Sequence, residues 1–347
     1  MRTTFGIAAV CVLTGSVAAG PMEPAHVPRD AVWVVHVDLD ALRASPFLSE
    51  VADLEDVFAD IDEDAVQELG SEVSDDFAGV TAFGYGGEDE DFGGAILYGA
   101  ADLDTILKVV RERFPEHSRR TVADGSIVYT WSIDEVGVVA SLRVNVAEAR
   151  SGVDGPISPW LLLVAPNSTA LTELEDVVVE RRGNVERAAP PGSVIYFSAT
   201  DIGRVLDEHG SGDASHIFAS AESMTLAIGE RDEQLVIDAE VAAVDEQTAD
   251  DMRTMIEGLL AMARIAAASE PETRDALELA QGLTITTEGT RVHLMLEAPT
   301  AKVLELIDEQ DEDGPHGSVN IGVNGDEVRA EVRVERTDGD RSGDDDH

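Results

Sequence analysis

Ala31-Val32-Trp33-Val34-Val35-His36-Val37-Asp38-Leu39-Asp40-Ala41-Leu42 decides how this chain is read. From Ala31 to Val37 the residues are β-branched, aromatic or small, the mixture that fills a pleated, buried strand. Asp38 then opens a helical pattern that is broken by Pro46 and continues through Leu54, Val57, Phe58 and Ile61. A Pro-containing lead, Pro21 to Pro28, precedes the strand.

The same arrangement returns later. Pro190-Pro191-Gly192-Ser193-Val194-Ile195-Tyr196-Phe197 parallels Pro28-Arg29-Asp30-Ala31-Val32-Trp33-Val34-Val35, and it leads into Asp201-Ile202-Gly203-Arg204-Val205-Leu206. The pattern breaks between Arg182 and Pro191, which divides the chain into a half at 20–188 and a related half at 189–307.

Outward from these strands, Val80–Tyr85 and Gly93–Tyr98 read as a hairpin around the acidic loop Gly86–Asp91. Leu103, Ile106, Leu107 and Val110 share a helix face. Strands are expected at Ser126–Ile133, Val136–Val144 and Trp160–Val164. The last runs through Pro166-Asn167-Ser168-Thr169, polar helix-start residues, into a helix with Leu171, Leu174, Val177 and Val178. In the second half, Met224–Ile228 and Leu235–Val244 form a hairpin across Gly229–Glu233. A long helix spans Glu246–Ala268, and a second begins at Pro271. Leu283–Thr287 and Arg291–Leu296 form another hairpin, and a short helix carries Val303, Leu304 and Ile307. Links between strands are short, and helices come singly between groups of strands. The expected class is therefore α+β: two related halves of mainly antiparallel sheet with helices packed on one face.

Residues 308–347 carry 14 acids and four arginines, a composition that favours a largely disordered acidic tail. The exception is 319–334, where alternation flanks Asn324-Gly325 and predicts a hairpin.

The whole chain has 347 residues, 44% apolar, with 70 acids against 24 Lys and Arg, a net −46. That balance argues against nucleic acid, whose phosphates need a basic patch, and against anionic lipid surfaces. The single cysteine, Cys11, excludes a disulfide framework. It lies in the apolar run Phe5–Leu13, behind Arg2 and ahead of the small residues Ser16-Val17-Ala18-Ala19. That is the layout of a signal peptide over 1–19, cleaved after Ala19. The run is too short for a membrane span, which takes about 20 residues. Val10, where a small residue would be needed, argues against lipid attachment at Cys11. The expected product is periplasmic or secreted, with no membrane span.

The opening Val27–Leu42, together with the long helix Glu246–Ala268 and the helix and hairpin after it, resembles a group of uncharacterised exported proteins of planctomycete-type bacteria. The resemblance runs over about residues 27–310 and implies no known activity, substrate or site.

Three times a strand meets Asp-(Leu/Ile)-x-x-apolar: Asp38 with Leu42, Asp102 with Ile106, Asp201 with Val205. Such acids serve as helix caps, accepting backbone N–H groups of the first turn. The competing reading makes Asp38, Asp40 and His36 a carboxylate acid–base site. Asp60, Asp62 and Asp64 have the spacing of a calcium loop's first ligands, but Ala65 stands where Gly is required and Ser71 where a bidentate Glu is required. Glu88, Asp89, Glu90 and Asp91 crowd a hairpin tip, a second place for weak divalent cations. The eight histidines show no zinc spacing, and the sequence has no Gly-x-Ser-x-Gly elbow and no P-loop, so no cofactor is expected. The reading is a non-catalytic exported binding or envelope-associated protein with an unknown envelope or extracellular partner. The alternative is an extracytoplasmic hydrolase built on the Asp38 carboxylate site.

Overall fold

A computed structural model describes residues 22–46, 77–85, 93–99, 103–122, 125–133, 138–144, 160–183, 188–202, 220–269, 279, 282–305, 316–324 and 327–335. The leader 1–19, the helix through Leu54–Ile61, the helix from Pro271 and most of the acidic tail lie outside them, as do Asp60–Asp64, Glu88–Asp91 and Asp102. The fold is α+β with antiparallel sheet. It forms two compact units, residues 1–44, 60–131 and 139–195 in the first, and 45–59, 132–138 and 196–347 in the second.

In the first unit, β1 (Trp33–Asp38) passes directly into α1 (Leu39–Ala44). The remaining elements are β2 (Phe77–Gly84), β3 (Gly94–Gly99), α2 (Leu103–Arg113), β4 (Ser118–Thr121), β5 (Ile127–Ile133), β6 (Val138–Val144), β7 (Trp160–Ala165) and α3 (Ser168–Glu180). The strand order is β1-β2-β3-β7-β6-β5-β4. β7 therefore returns to sit between β3 and β6, pairing antiparallel with both. Strand alternation sets what is inside: Val34, His36 and Asp38 of β1 are buried, and their neighbours less so. Register lines up His36, Thr81, Ile96 and Leu163 as one cross-strand row, and Asp38, Gly79, Tyr98 and Leu161 as the next.

α3 starts where Asn167 accepts the N–H groups of Thr169 and Ala170, both at 3.0 Å. It ends where Arg181 turns left-handed, at φ 49°. Its buried side chains Leu171, Leu174 and Val178 cover β7 and β3. Gly99 is required by packing, because a Cβ there would overlap the Trp160 indole.

In the second unit, β8 (Ser193–Thr200) is followed by β9 (Ala221–Arg231), β10 (Gln234–Ala243), α4 (Glu246–Ser269), β11 (Leu283–Glu288) and β12 (Arg291–Pro299), and then by helical residues 300–305. The strand order is β8-β9-β10-β12-β11. This repeats β1-β2-β3-β7-β6 of the first unit, with one helix after the third strand and another after the fifth in the returning position. β4 and β5 are the extra strands of the first unit. The expected loop Gly229–Glu233 is narrower in the structure. The strands continue through Arg231, and Asp232 and Glu233 alone turn, with φ 53° and 62°. That places two non-glycine residues in the left-handed region usual for two-residue hairpins.

β13 (His316–Asn324) and β14 (Glu327–Glu335) pair antiparallel as a two-stranded sheet, with Val323 opposite Val328. This is the hairpin that Asn324-Gly325 signals, begun three residues earlier, at His316, and ended one later, at Glu335.

Candidate functional site

The acidic joint after β1 is built by the strand's own alternation. Asp38 falls on the buried face at the last strand position. Its Oδ1 accepts the Ala41 N–H at 2.9 Å, the geometry of a cap on α1. Burial raises the Asp38 pKa above its usual 3.8, only partly offset by the N–H groups of Ala41 and Asp40. Asp40 points elsewhere, accepting Arg43 Nη1 at 3.0 Å, while Arg43 Nη2 donates to the Phe77 carbonyl. His36 is 1% exposed, and its Nδ1 lies 2.8 Å from Thr81 Oγ1. The three residues of the carboxylate reading thus share a neighbourhood while each side chain bonds within its own segment or the adjoining strand. Asp201, at the corresponding joint of the second unit, has φ 60° and donates its N–H to the Glu222 carbonyl.

A group that sequence reasoning did not assemble surrounds His36. Tyr98 on β3 is buried, and its ring meets His36 edge-on, centroids 6.2 Å apart. Burial pushes its phenol up to about 12. On its other side, the His26 ring lies parallel within 14°, with centroids 6.1 Å apart. Gly79 separates Asp38 from Tyr98 in the cross-strand row and leaves that position without a side chain. His26 belongs to the lead before β1, where Pro24–His26 form a 3-10 turn. Burial lowers its pKa to about 4, with Glu23 opposing and Arg181 and Arg143 assisting. The available signal was phase: His36 alternates with Val34, and Tyr98 with Ile96. The register that joins those strands is non-local.

The second unit places its ionisable groups differently. His293 Nε2 lies 2.6 Å from Asp238 Oδ1, Arg291 donates to Glu240 at 3.0 Å, and Arg231 to Glu297 at 3.1 Å. All are cross-strand pairs on one face of the sheet, half-buried or exposed. Among the described residues, no group of three or more His, Cys, Asp or Glu could hold a metal ion. No described helix is long and apolar enough to cross a membrane.

No family model and no curated protein matches the chain. Among solved structures, crystal forms I and III of TP0453 are each similar at 10% identity and TM-score 0.40, covering 83% of this chain and 98% of that one. Crystal form IV of TP0453 gives 11% identity and TM-score 0.41, over 85% of this chain and 99% of that one.

Proposed function

We propose that this chain is a non-catalytic exported binding or envelope-associated protein. The observation that carries the non-catalytic part is the bonding at the β1–α1 joint. Asp38 is taken up by the first turn of α1, Asp40 by Arg43, and His36 by Thr81 in a closed interior. A general acid and base must reach a substrate proton within hydrogen-bond distance; His36 and Asp38 are turned into the interior, and Asp40, partly exposed, is paired with Arg43. Export rests on the order Arg2, Phe5–Leu13, Ser16–Ala19. The shared strand order of the two units supports their origin from one duplicated half.

The test has two arms. Full-length protein and a variant lacking 1–19 are expressed in a diderm host and fractionated. The full chain, shortened at its N-terminus, is expected in the periplasm or medium, and the variant in the cytoplasm. The exported protein is then assayed against ester, glycoside, phosphoester and peptide substrates. Turnover that disappears in Asp38→Asn would establish the hydrolase instead.

A further inference from the structure

We propose that residues 22–32 form an acid-released strap, docked on the first unit while His26 is neutral and freed when His26 takes up a proton. The strap is held at several points. Met22, Ala25 and Val27 are buried, Val27 completely. The Gly183 N–H donates to the Ala25 carbonyl at 2.8 Å, and Arg29 Nε donates to the Gly183 carbonyl at 3.4 Å. Arg181 pairs with Glu23. The fit is close, since a Cβ at Gly183 would overlap the Ala25 backbone.

His26 is the centre of this dock and the group least suited to carry charge there. Its ring lies against Tyr98, and Nδ1 is closed off from solvent with no hydrogen-bond partner among the described residues. A proton on Nδ1 would create a cationic donor with no acceptor. The groups facing it are Glu23 on the strap, Arg181 after α3, Arg143 on β6 and Tyr98 on β3, with His36 of β1 on the far side of Tyr98. Burial is the main opposition to charge on His26; Glu23 favours the charge more than either Arg181 or Arg143 opposes it, and Glu23 is already paired with Arg181. Protonation therefore favours the open strap, in which water solvates the imidazolium.

The direction in pH follows from linkage. The docked strap holds the His26 pKa at about 4, below its unperturbed 6.5. The stabilisation of the dock is complete above 6.5 and is lost progressively as pH falls toward 4. Over that window the open fraction rises on the order of tenfold per pH unit. The rest of the first unit, whose sheet does not contain His26, stays closed.

Amide hydrogen exchange of the full chain from pH 7.5 to 4.5, corrected for intrinsic rates, reads this directly. The expected result is loss of protection at Val27 and Gly183 while the amides of β3 and β7 keep theirs. His26→Phe, which retains a ring over Tyr98, and His26→Gln, which retains a neutral polar group, should flatten the strap's pH dependence. One variant that folds is enough, and the His26 ring titration in the unaltered protein gives an independent readout. A strap that opens in the variants as in the parent, a strap that opens together with β3 and β7, or a His26 that titrates at 6.5 would each overturn the proposal.

Discussion

The first unit buries a polar row in β1 and β2, and the second wears a set of ion pairs on a sheet face. His36, Thr81 and Asp38 are buried in β1 and β2, whereas Asp238, Glu240, Arg291 and His293 pair across β10 and β12 with access to water. Their caps differ in the same sense. Asp38 caps α1 from a buried position, and its pKa is raised by burial. Asp245 caps α4 from an exposed one, bonded by the Thr248 N–H at 2.7 Å, and the Thr248 hydrogen bonds hold its pKa below the usual value. Core depth follows suit. Of the largest fully buried side chains among the described residues, Val292 alone belongs to the second unit. That unit also exposes Leu259, Met262 and Ile265 of α4 at 48%, 60% and 73%. A shared strand order therefore does not set core depth. In the first unit α3 packs on β7 and β3, and in the second α4 packs on β10, β11 and β12 while leaving part of its apolar surface exposed.

The largest consequence concerns that packing. Leu163→Ala, at a fully buried position under α3, should destabilise by about 2–5 kcal/mol. Leu294→Ala, on half-buried β12, should cost about half of that or less, because part of its surface is already wet. Equal losses in chemical denaturation would erase the distinction between the units. Gly99→Ala comes next, at about 1–3 kcal/mol, because the new methyl displaces the Trp160 indole. A variant as stable as the parent would show that the indole has room to move.

Smaller effects fall on the surface. With a net charge of −46, thermal stability should rise from low salt to molar NaCl as the Debye length shrinks from about 30 Å to about 3 Å. A flat or falling melting temperature contradicts self-repulsion. A saturable rise at micromolar calcium would instead identify a specific site and return attention to Asp60–Asp64 and Glu88–Asp91. Arg291→Gln should change stability by about 0.2–1 kcal/mol, the range for an exposed ion pair, and the effect should fade in salt.

Most of the fold was legible from hydrophobic phase. Alternation in Trp33–Asp38 and the long stripe of α4 each carry their own periodicity, and Asn167 announces α3 by side-chain chemistry alone. β4 was not legible. Ser118-Arg119-Arg120-Thr121 is wholly exposed and has no apolar alternation, so it is a strand only because β5 pairs with it. Nor was the insertion of β7 between β3 and β6, which depends on pairing across a long excursion. Asp38 could be picked out as a cap by type and position. The Tyr98 and His26 partners of the neighbouring row could not, because only register and the gap at Gly79 bring them beside His36.

The central claim is that Asp38 caps α1 through its Oδ1 acceptor and not through its charge. Thermal melts of Asp38→Asn and Asp38→Ala at pH 7 test it most directly. Because burial raises the Asp38 pKa, its stabilising contribution is full below 3.8 and is lost as pH rises through the folded value, so at pH 7 the charge opposes folding. Asparagine keeps the Oδ1 acceptor and removes the charge. Asp38→Asn should therefore melt at or above the parent at pH 7, with that advantage vanishing below pH 3.8, while Asp38→Ala loses about 1 kcal/mol. An asparagine variant as unstable as the alanine one would mean that the charge itself is needed, and would contradict the account.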